Sequence, residues 1–234
     1  MQRDGDEPTA DAQVLRQQLR HVFWIGGGSG AGKSTIARRL AAEYGLVHFA
    51  TDDVMSDHCK RSMPGGCLLL YEFMAMDMDE RWVNRSPKQM LETFHWFRGE
   101  GFGMIVEDIL RLPGKLGVIV DGFRLLPGLV RPLLAAASHG VWLLPTADFR
   151  RAVFDARGWP RSGFLAKTSD PEKAYRNLLE RDAMFTGQVR DQAQSVGLRT
   201  IEVDAAISED ELTERVARAF GLDSHAGGVR QGSG

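Results

Sequence analysis

A glycine-rich loop carries the residue types and the spacing needed to hold a phosphate. The run Gly27-Gly28-Ser29-Gly30-Ala31-Gly32-Lys33-Ser34 fits the pattern G-x-x-x-x-G-K-[ST]. Glycines permit backbone angles that turn several N–H groups toward one anion. The Lys33 ammonium would reach the β- and γ-phosphates of ATP, and the Ser34 hydroxyl would ligate Mg²⁺. The residues expected to contact the nucleotide are Gly28, Ser29, Gly30, Ala31, Gly32, Lys33, Ser34 and Thr35.

The segments on either side of this loop favour phosphate binding over an ordinary glycine-rich turn. Residues 21–25 are apolar and predict a buried strand, and residues 34–43 predict a helix with Ile36, Ala37 and Leu40 on one face. A phosphate would then lie at a helix N-terminus, where the dipole and the free N–H groups favour an anion.

Charged side chains follow two further predicted strands. Residues 46–50 lead to Asp52 and Asp53, and residues 116–121 end at Asp121 in the Walker B form, in which the acid holds Mg²⁺. In open parallel sheets, ligands gather beyond the carboxyl ends of the strands. Asp52 and Asp53 are therefore expected to bind a phosphate acceptor. Arg124 is expected to point into the same crevice.

The two adjacent acids are expected to differ in role. Successive residues of an extended chain point in opposite directions, so one of the pair faces the acceptor. We assign the role of base or orienter to Asp52 and that of a cap or structural partner to Asp53. Capping of the next helix is the alternative for both.

A helical insertion and a basic lid are predicted between and after these motifs. Residues 54–116 are helical in pattern, with a capping box that begins at Ser86. The large apolar side chains of the insertion fit core packing, or an apolar acceptor pocket over Asp52. Glycines and a proline interrupt residues 146–170, as expected of a mobile lid that neutralises phosphate charge. The basic residues of this lid are Arg150, Arg151, Arg157, Arg161 and Lys167, of which Arg150 and Arg151 are expected to bind the nucleotide.

Composition excludes several classes of function. The chain has 234 residues, 43% of them hydrophobic, and a net charge of −2, whereas nucleic-acid-binding surfaces are usually basic. No apolar run approaches the ~18 residues of a membrane span, and residues 1–12 lack the apolar core of a signal peptide. Cys59 and Cys67 do not form a disulfide framework, and with His58 they match no usual zinc spacing. We expect a cytoplasmic protein that binds neither nucleic acid nor membrane. Its oligomeric state, a homodimer included, is left open.

The remaining chain alternates strand and helix patterns. A helix is predicted over 127–137, a strand over 140–145, a long helix after Asp170, a strand over 199–203 and a last helix after Ser208. This alternation predicts a parallel sheet covered by helices on both faces. The expected organisation is an N-terminal extension (1–19), one domain (20–222) and a disordered glycine-rich tail (223–234).

The arrangement over residues 20–222 resembles the P-loop kinases of the nucleoside monophosphate kinase type, a group that includes adenylate, shikimate and gluconate kinases and chloramphenicol phosphotransferase. The resemblance implies an α/β P-loop NTPase fold with a five-stranded parallel sheet of order 2-3-1-4-5. Asp52 stands where the small-molecule kinases carry an acceptor-binding or catalytic acid. Asp121-Gly122-Phe123-Arg124 is similar to the Asp-Gly-Phe-Pro-Arg of adenylate kinase without its proline, and places Arg124 at an acceptor phosphate.

Three functions remain open from the sequence. The first is an ATP- and Mg²⁺-dependent kinase that phosphorylates a hydroxyl of a metabolite, nucleoside or antibiotic, with Lys33, Asp52 and Arg157 as catalytic residues. The second is a nucleotide kinase that acts on a phosphate, with Arg124 and the lid serving the acceptor. The third is a nucleotide-binding regulatory module without transfer chemistry. No guanine-specific Asn-Lys-x-Asp motif is present in the chain, which disfavours a GTPase.

Overall fold

Five parallel strands form the centre of the molecule. The computed structural model describes residues 10–63, 65–113 and 116–222, so the predicted tail lies outside the described residues. The strands are β1 (Val22–Gly27), β2 (Val47–Ala50), β3 (Val118–Asp121), β4 (Gly140–Pro145) and β5 (Arg199–Val203). Their order in the sheet is β2-β3-β1-β4-β5. This order confirms the expected P-loop NTPase fold.

Ten α-helices surround the sheet in the part of the chain that the structure describes. They are α1 (Ala10–Gln18), α2 (Lys33–Tyr44), α3 (Met55–Arg61), α4 (Leu68–Ala75), α5 (Pro87–Thr93), α6 (Phe102–Leu110), α7 (Pro127–Val130), α8 (Ala147–Ala156), α9 (Pro171–Ser195) and α10 (Glu209–Phe220). Short helical segments of other types cover Glu80–Asn84 (a π-helix) and His95–Arg98, Arg131–Leu133, Ala137–His139 and Leu165–Lys167 (3-10). None of the described helices is long and apolar enough to cross a membrane.

Apolar residues fill both faces of the sheet, as the alternation of strands and helices predicts. On one face, α2 and α10 pack on Ile25, Val141 and Leu143. On the other face, α6 and α9 pack on Trp24 and Val120. Helices therefore cover both faces, and the carboxyl ends of the strands are left as the edge on which a ligand can bind.

Local signals place the helices that flank this edge. Ser86 accepts a hydrogen bond from the backbone N–H of Gln89 and completes the predicted capping box of α5. Asp170 accepts one from the N–H of Lys173 at the start of α9. Each cap satisfies backbone donors that would otherwise lack a partner at a helix end.

Two stretches differ from their predictions. The helix predicted over 127–137 ends as α7 at Val130, because Pro132 has no N–H to donate and its ring would clash with the carbonyl one turn earlier. The first half of the predicted lid, residues 147–156, is the regular helix α8, which begins at the capping residue Thr146. The turns from residue 157 onward carry the remainder of the lid stretch.

Candidate active site

A cleft of about 910 Å³ opens at the carboxyl ends of β1 and β2. The phosphate loop and the start of α2 form one side of this cleft. The insertion (α3 to α6) and the segment that follows α8 form the other side. The cleft brings together most of the residues that the sequence predicts for a nucleotide and an acceptor, namely Ser29, Gly30, Ala31, Gly32, Lys33, Ser34, Thr35, Asp52, Asp53 and Arg157.

The loop from β1 to α2 turns around glycines with positive φ. Gly30 has φ 81° and Gly32 has φ 78°, which L side chains rarely adopt. A Cβ at Gly30 would also approach the Phe154 ring to 3.3 Å. The loop is thus shaped by its glycines and closed from behind by α8, which leaves its N–H groups at the N-terminus of α2 for an anion.

Lys33 lies folded onto its own loop. The ammonium donates a hydrogen bond to the carbonyl of Gly28 at 2.8 Å, and the side chain is buried. Burial lowers the pKa of Lys33, and the nearby carboxylates of Asp52, Asp121 and Asp182 oppose that change. These acids keep a cation favourable at the point where the terminal phosphate of a nucleotide would lie.

Ser34 and Asp121 meet as a magnesium site requires. The Ser34 hydroxyl donates to Oδ2 of Asp121 at 2.5 Å, so the two side chains predicted as Mg²⁺ ligands are adjacent. Hydroxyl and carboxylate oxygens are the hard ligands that Mg²⁺ prefers, with waters completing its shell. The residues present therefore fit the metal.

His48 is a member of this site that the sequence reasoning missed. Its Nε2 lies 2.6 Å from Oδ1 of Asp121, so the two carboxylate oxygens of Asp121 contact different partners. The imidazole fixes the rotation of the carboxylate and leaves Oδ2 facing Ser34. A single polar residue in the apolar strand 46–50 was the signal that could have revealed it.

Asp52 and Asp53 both line the cleft, and which of the two faces an acceptor stays a prediction. Residues 51–54 form a turn and not an extended chain, so adjacent side chains need not alternate. Asp53 does not cap α3, because Val54 occupies the N-cap position and no side chain caps there, and its alternative role as a structural partner stays a prediction. Desolvation by the surrounding protein raises the pKa of Asp52, and the positive charge of Lys33 opposes this increase. A raised pKa makes a carboxylate a better proton acceptor.

Arg124 does not point into the cleft, contrary to the expectation. Its side chain is buried, with 2% of the residue exposed, and its guanidinium lies 3.9 Å over the Trp96 ring. It donates to the backbone carbonyls of Thr51 and Gly101. Burial lowers the pKa of Arg124 to about 10. Arg124 therefore links the end of β2 to the insertion. Its neighbour in sequence, Phe123, lines the cleft instead.

Three of the five basic residues of the predicted lid occupy three different places. Arg150 in α8 is buried and donates to the carbonyl of Ser29 and to the hydroxyl of Thr186, so it supports the phosphate loop from behind. Arg151 lines a separate cavity of about 350 Å³ between α8 and α9. Arg157 is exposed and lines the main cleft.

Arg181 and Asp182 in α9 form a buried ion pair on the cleft wall that the sequence did not reveal. Nε and a terminal guanidinium nitrogen of Arg181 both donate to Oδ1 of Asp182, at 2.9 and 2.7 Å. The guanidinium also lies about 5 Å from the rings of Trp82, Phe94 and Phe97, at 5.2, 4.8 and 5.0 Å. The pair escaped notice because its helix shows an ordinary amphipathic pattern.

A possible metal cluster in the insertion is already occupied by an arginine. Asp57, His58 and Asp108 bring three ligand atoms within 4.8 Å of one another. Arg61 contacts both carboxylates, at 2.6 and 2.7 Å, so its cation stands where a metal would. Neither cysteine belongs to this group of ligand atoms.

Comparison with known proteins gives two matches. A family model described as an AAA domain matches residues 26–93, from the end of β1 to the end of α5. Adenylate kinase isoenzyme 1 of Caenorhabditis elegans is 40% identical over 48 residues, which are 20% of this chain and 23% of that protein. The chain thus spans less than a quarter of the relative that it matches. With the sheet order and the cleft, the matches support a P-loop nucleotide-binding fold and leave the activity open.

Proposed function

We propose that the protein transfers the γ-phosphoryl group of ATP to a hydroxyl group of a small molecule. One observation carries this proposal: the phosphate loop with Lys33 and the acid Asp52 line a single cleft, near enough for their charges to interact. Phosphoryl transfer needs positioning and charge neutralisation more than covalent chemistry, and the loop with Lys33 and the Asp52 carboxylate would provide both.

The site residues have distinct roles in this reaction. The acceptor oxygen attacks the γ-phosphorus, the bond from the γ-phosphorus to the β,γ-bridging oxygen breaks, and the acceptor proton passes to the Asp52 carboxylate. ADP and a phosphate ester leave. The N–H groups of the loop and the ammonium of Lys33 hold the phosphates, and Arg157 stabilises charge from the lid side. Mg²⁺, held by Ser34 and Asp121, would neutralise the β- and γ-phosphate oxygens.

A nucleotide kinase that acts on a monophosphate is the second candidate. The match to adenylate kinase isoenzyme 1 favours it. The buried position of Arg124 disfavours it, because an acceptor phosphate needs accessible cations and Arg124 is committed to backbone carbonyls and to Trp96. A nucleotide-binding regulatory module is the third candidate, and it predicts no acceptor-dependent consumption of ATP.

The decisive experiment is a screen for ADP release with Mg²⁺-ATP and single acceptors: alcohols, nucleosides and nucleoside monophosphates. The product is then examined by phosphorus NMR, since an anhydride shows phosphorus–phosphorus coupling and an ester does not. An ester product supports the proposal. An anhydride product establishes the nucleotide kinase. ADP release that no acceptor stimulates would favour the regulatory module.

A further inference from the structure

The side of the cleft opposite the phosphate loop is lined by aromatic rings. The insertion contributes five of them, Phe73, Trp82, Phe94, Trp96 and Phe97, and flanking segments add Phe123, Trp159 and Phe164. We call these eight residues the ring wall. Several of its members contact one another edge-on, as in the pairs Phe73–Trp82 at 5.8 Å and Phe73–Phe94 at 5.4 Å. The wall is fixed by its own packing and still borders the cleft.

The insertion offers no formal charge to the cleft among its described residues. Those that line the cleft are Met55, Ser56, Cys59, Leu70, Phe73, Met74, Trp82, Phe94, His95, Trp96 and Phe97. The basic side chains nearby are directed elsewhere: Arg61 binds two carboxylates, and Arg81 donates to the carbonyls of Phe73 and Met74. A charged acceptor group placed against this wall would lose its hydration and gain no partner.

The charged groups around the wall also disfavour an anion. Arg181 is neutralised by direct contact with Asp182. Arg124 is buried behind Trp96. Asp52 and Asp53, which line the cleft beside the wall, would repel a carboxylate or a phosphate.

One polar atom among the rings has no partner. His95 is 2% exposed and lines the cleft between Phe94 and Trp96, and its Nδ1 forms no hydrogen bond among the described residues. The pKa of His95 is lowered to about 3, chiefly by burial and then by nearby arginines, so the ring is neutral at physiological pH. A neutral imidazole can accept or donate one hydrogen bond without adding charge.

We propose, building on the proposed phosphotransfer, that the acceptor is an uncharged alcohol that carries a flat aromatic ring, held by the ring wall and by one hydrogen bond to His95. The aromatic ring would stack or pack edge-on against the wall, and the hydroxyl would lie toward Asp52. A carboxylate or a phosphate held against the wall would have no counter-charge there, because the other cations that line the cleft, Lys33, Arg38 and Arg157, belong to the phosphate side and the lid.

The test measures binding with a non-hydrolysable ATP analogue in the phosphate loop, so that it does not depend on transfer and the charged probes cannot bind the loop. Two matched pairs of probes are titrated by ligand-observed NMR: 2-phenylethanol against 4-(2-hydroxyethyl)benzoate, and adenosine against its 5′-monophosphate. The uncharged member of each pair is expected to bind about tenfold more tightly or better, because the charged member buries an unpaired anion. In Met74→Arg, which adds a cation at an exposed position of the cleft, the difference should shrink severalfold.

Met63→Arg is the matched control. Met63 is 73% exposed and does not line the cleft, whereas Met74 is 57% exposed and does, so both substitutions spare the core. The control should keep the wild-type ratio. Equal or tighter binding of the charged probes to the wild-type protein overturns the inference, and so does failure of all aromatic probes to bind. Selective binding without any ester formation would instead refute the proposed phosphotransfer and leave the ligand class standing.

Discussion

The two sides of the cleft are built by different means. The phosphate side comes from one short run of chain, residues 27–35, which presents backbone N–H groups and the charge of Lys33. The acceptor side is assembled from side chains of separate elements, from α4 to the segment after α8, and its described insertion residues are uncharged. Recognition of a phosphate is therefore local and general, whereas recognition of the acceptor depends on the tertiary structure of this chain.

The largest expected effect comes from the phosphate side. Lys33→Ala should lower acceptor-dependent ADP release by about 10³-fold or more, because it removes the cation nearest the transferring group. Steady-state kinetics and a thermal melt are the measurements. Lys60→Ala, which removes an exposed lysine of α3, is the matched control and should retain full activity. Near-normal turnover of a folded Lys33→Ala protein would contradict the proposed kinase activity.

The next effect concerns the two acids between the sides. Asp52→Asn should lower kcat by about 10²- to 10⁴-fold, the usual contribution of a general base, with ATP affinity almost unchanged. Asp53→Asn is the matched control. Because both residues line the cleft, the two variants compare loss of the proposed base with loss of a neighbouring carboxylate of equal charge. Asp53→Asn should mainly alter the KM for the acceptor. A dead Asp53→Asn enzyme with an active Asp52→Asn enzyme would exchange the two roles. If both stay active, the acceptor is activated elsewhere, and Asp121 becomes the next acid to test.

The contrast between the sides also explains what the sequence could predict. The loop, the Walker B acid and the strand–helix alternation are contiguous patterns. The structure confirms the fold and brings Ser34 into contact with Asp121, while their role as Mg²⁺ ligands stays a prediction. Arg124 shows the limit of such patterns. A motif placed it past the end of β3, but Trp96 and the carbonyls that bury it belong to distant parts of the chain.

Residues that act through tertiary contacts gave no local signal. His48 contacts the carboxylate of Asp121, 73 positions away in the sequence, and Arg181 contacts aromatic rings that the insertion contributes. The alternation rule does not apply to Asp52 and Asp53, because the strand ends at Ala50 and the chain turns at once. Strand ends are set by hydrogen bonds to a neighbouring strand, which one segment of sequence does not contain.

A smaller effect is expected on stability, because an uncharged His95 on the acceptor side lowers the free energy of unfolding at acidic pH. Since the pKa of His95 is about 3 in the folded protein and about 6.5 when unfolded, the unfolded chain binds the additional proton as pH falls below 6.5. The free energy of unfolding should therefore fall by about 2 kcal/mol from neutral pH to pH 5. His95→Phe keeps an aromatic ring and removes this titration.

Urea unfolding at several pH values measures this effect. The free energy of unfolding of His95→Phe should decline less steeply between pH 6.5 and 5 than that of the parent. Some slope should remain, because burial also lowers the pKa values of His58 and His139. Identical slopes in both proteins would mean that His95 is accessible to protons in the folded state, and the ring wall would not be the uncharged surface inferred above.

The smallest effect is expected in the lid, where the two sides meet. Arg157 lines the cleft from an exposed turn, and Arg161 is exposed but does not line it. With a non-hydrolysable ATP analogue, amide hydrogen exchange over residues 157–167 should slow by about two- to tenfold as this segment closes on the phosphates, while α8 changes little because it is already packed against α9. Arg157→Ala should abolish the change, and Arg161→Ala, the matched control, should preserve it. Unchanged exchange in the wild-type protein would rule out a lid in this segment. Protection that persists in Arg157→Ala would show that the segment closes through other contacts and that the phosphates depend on Lys33 and the loop alone.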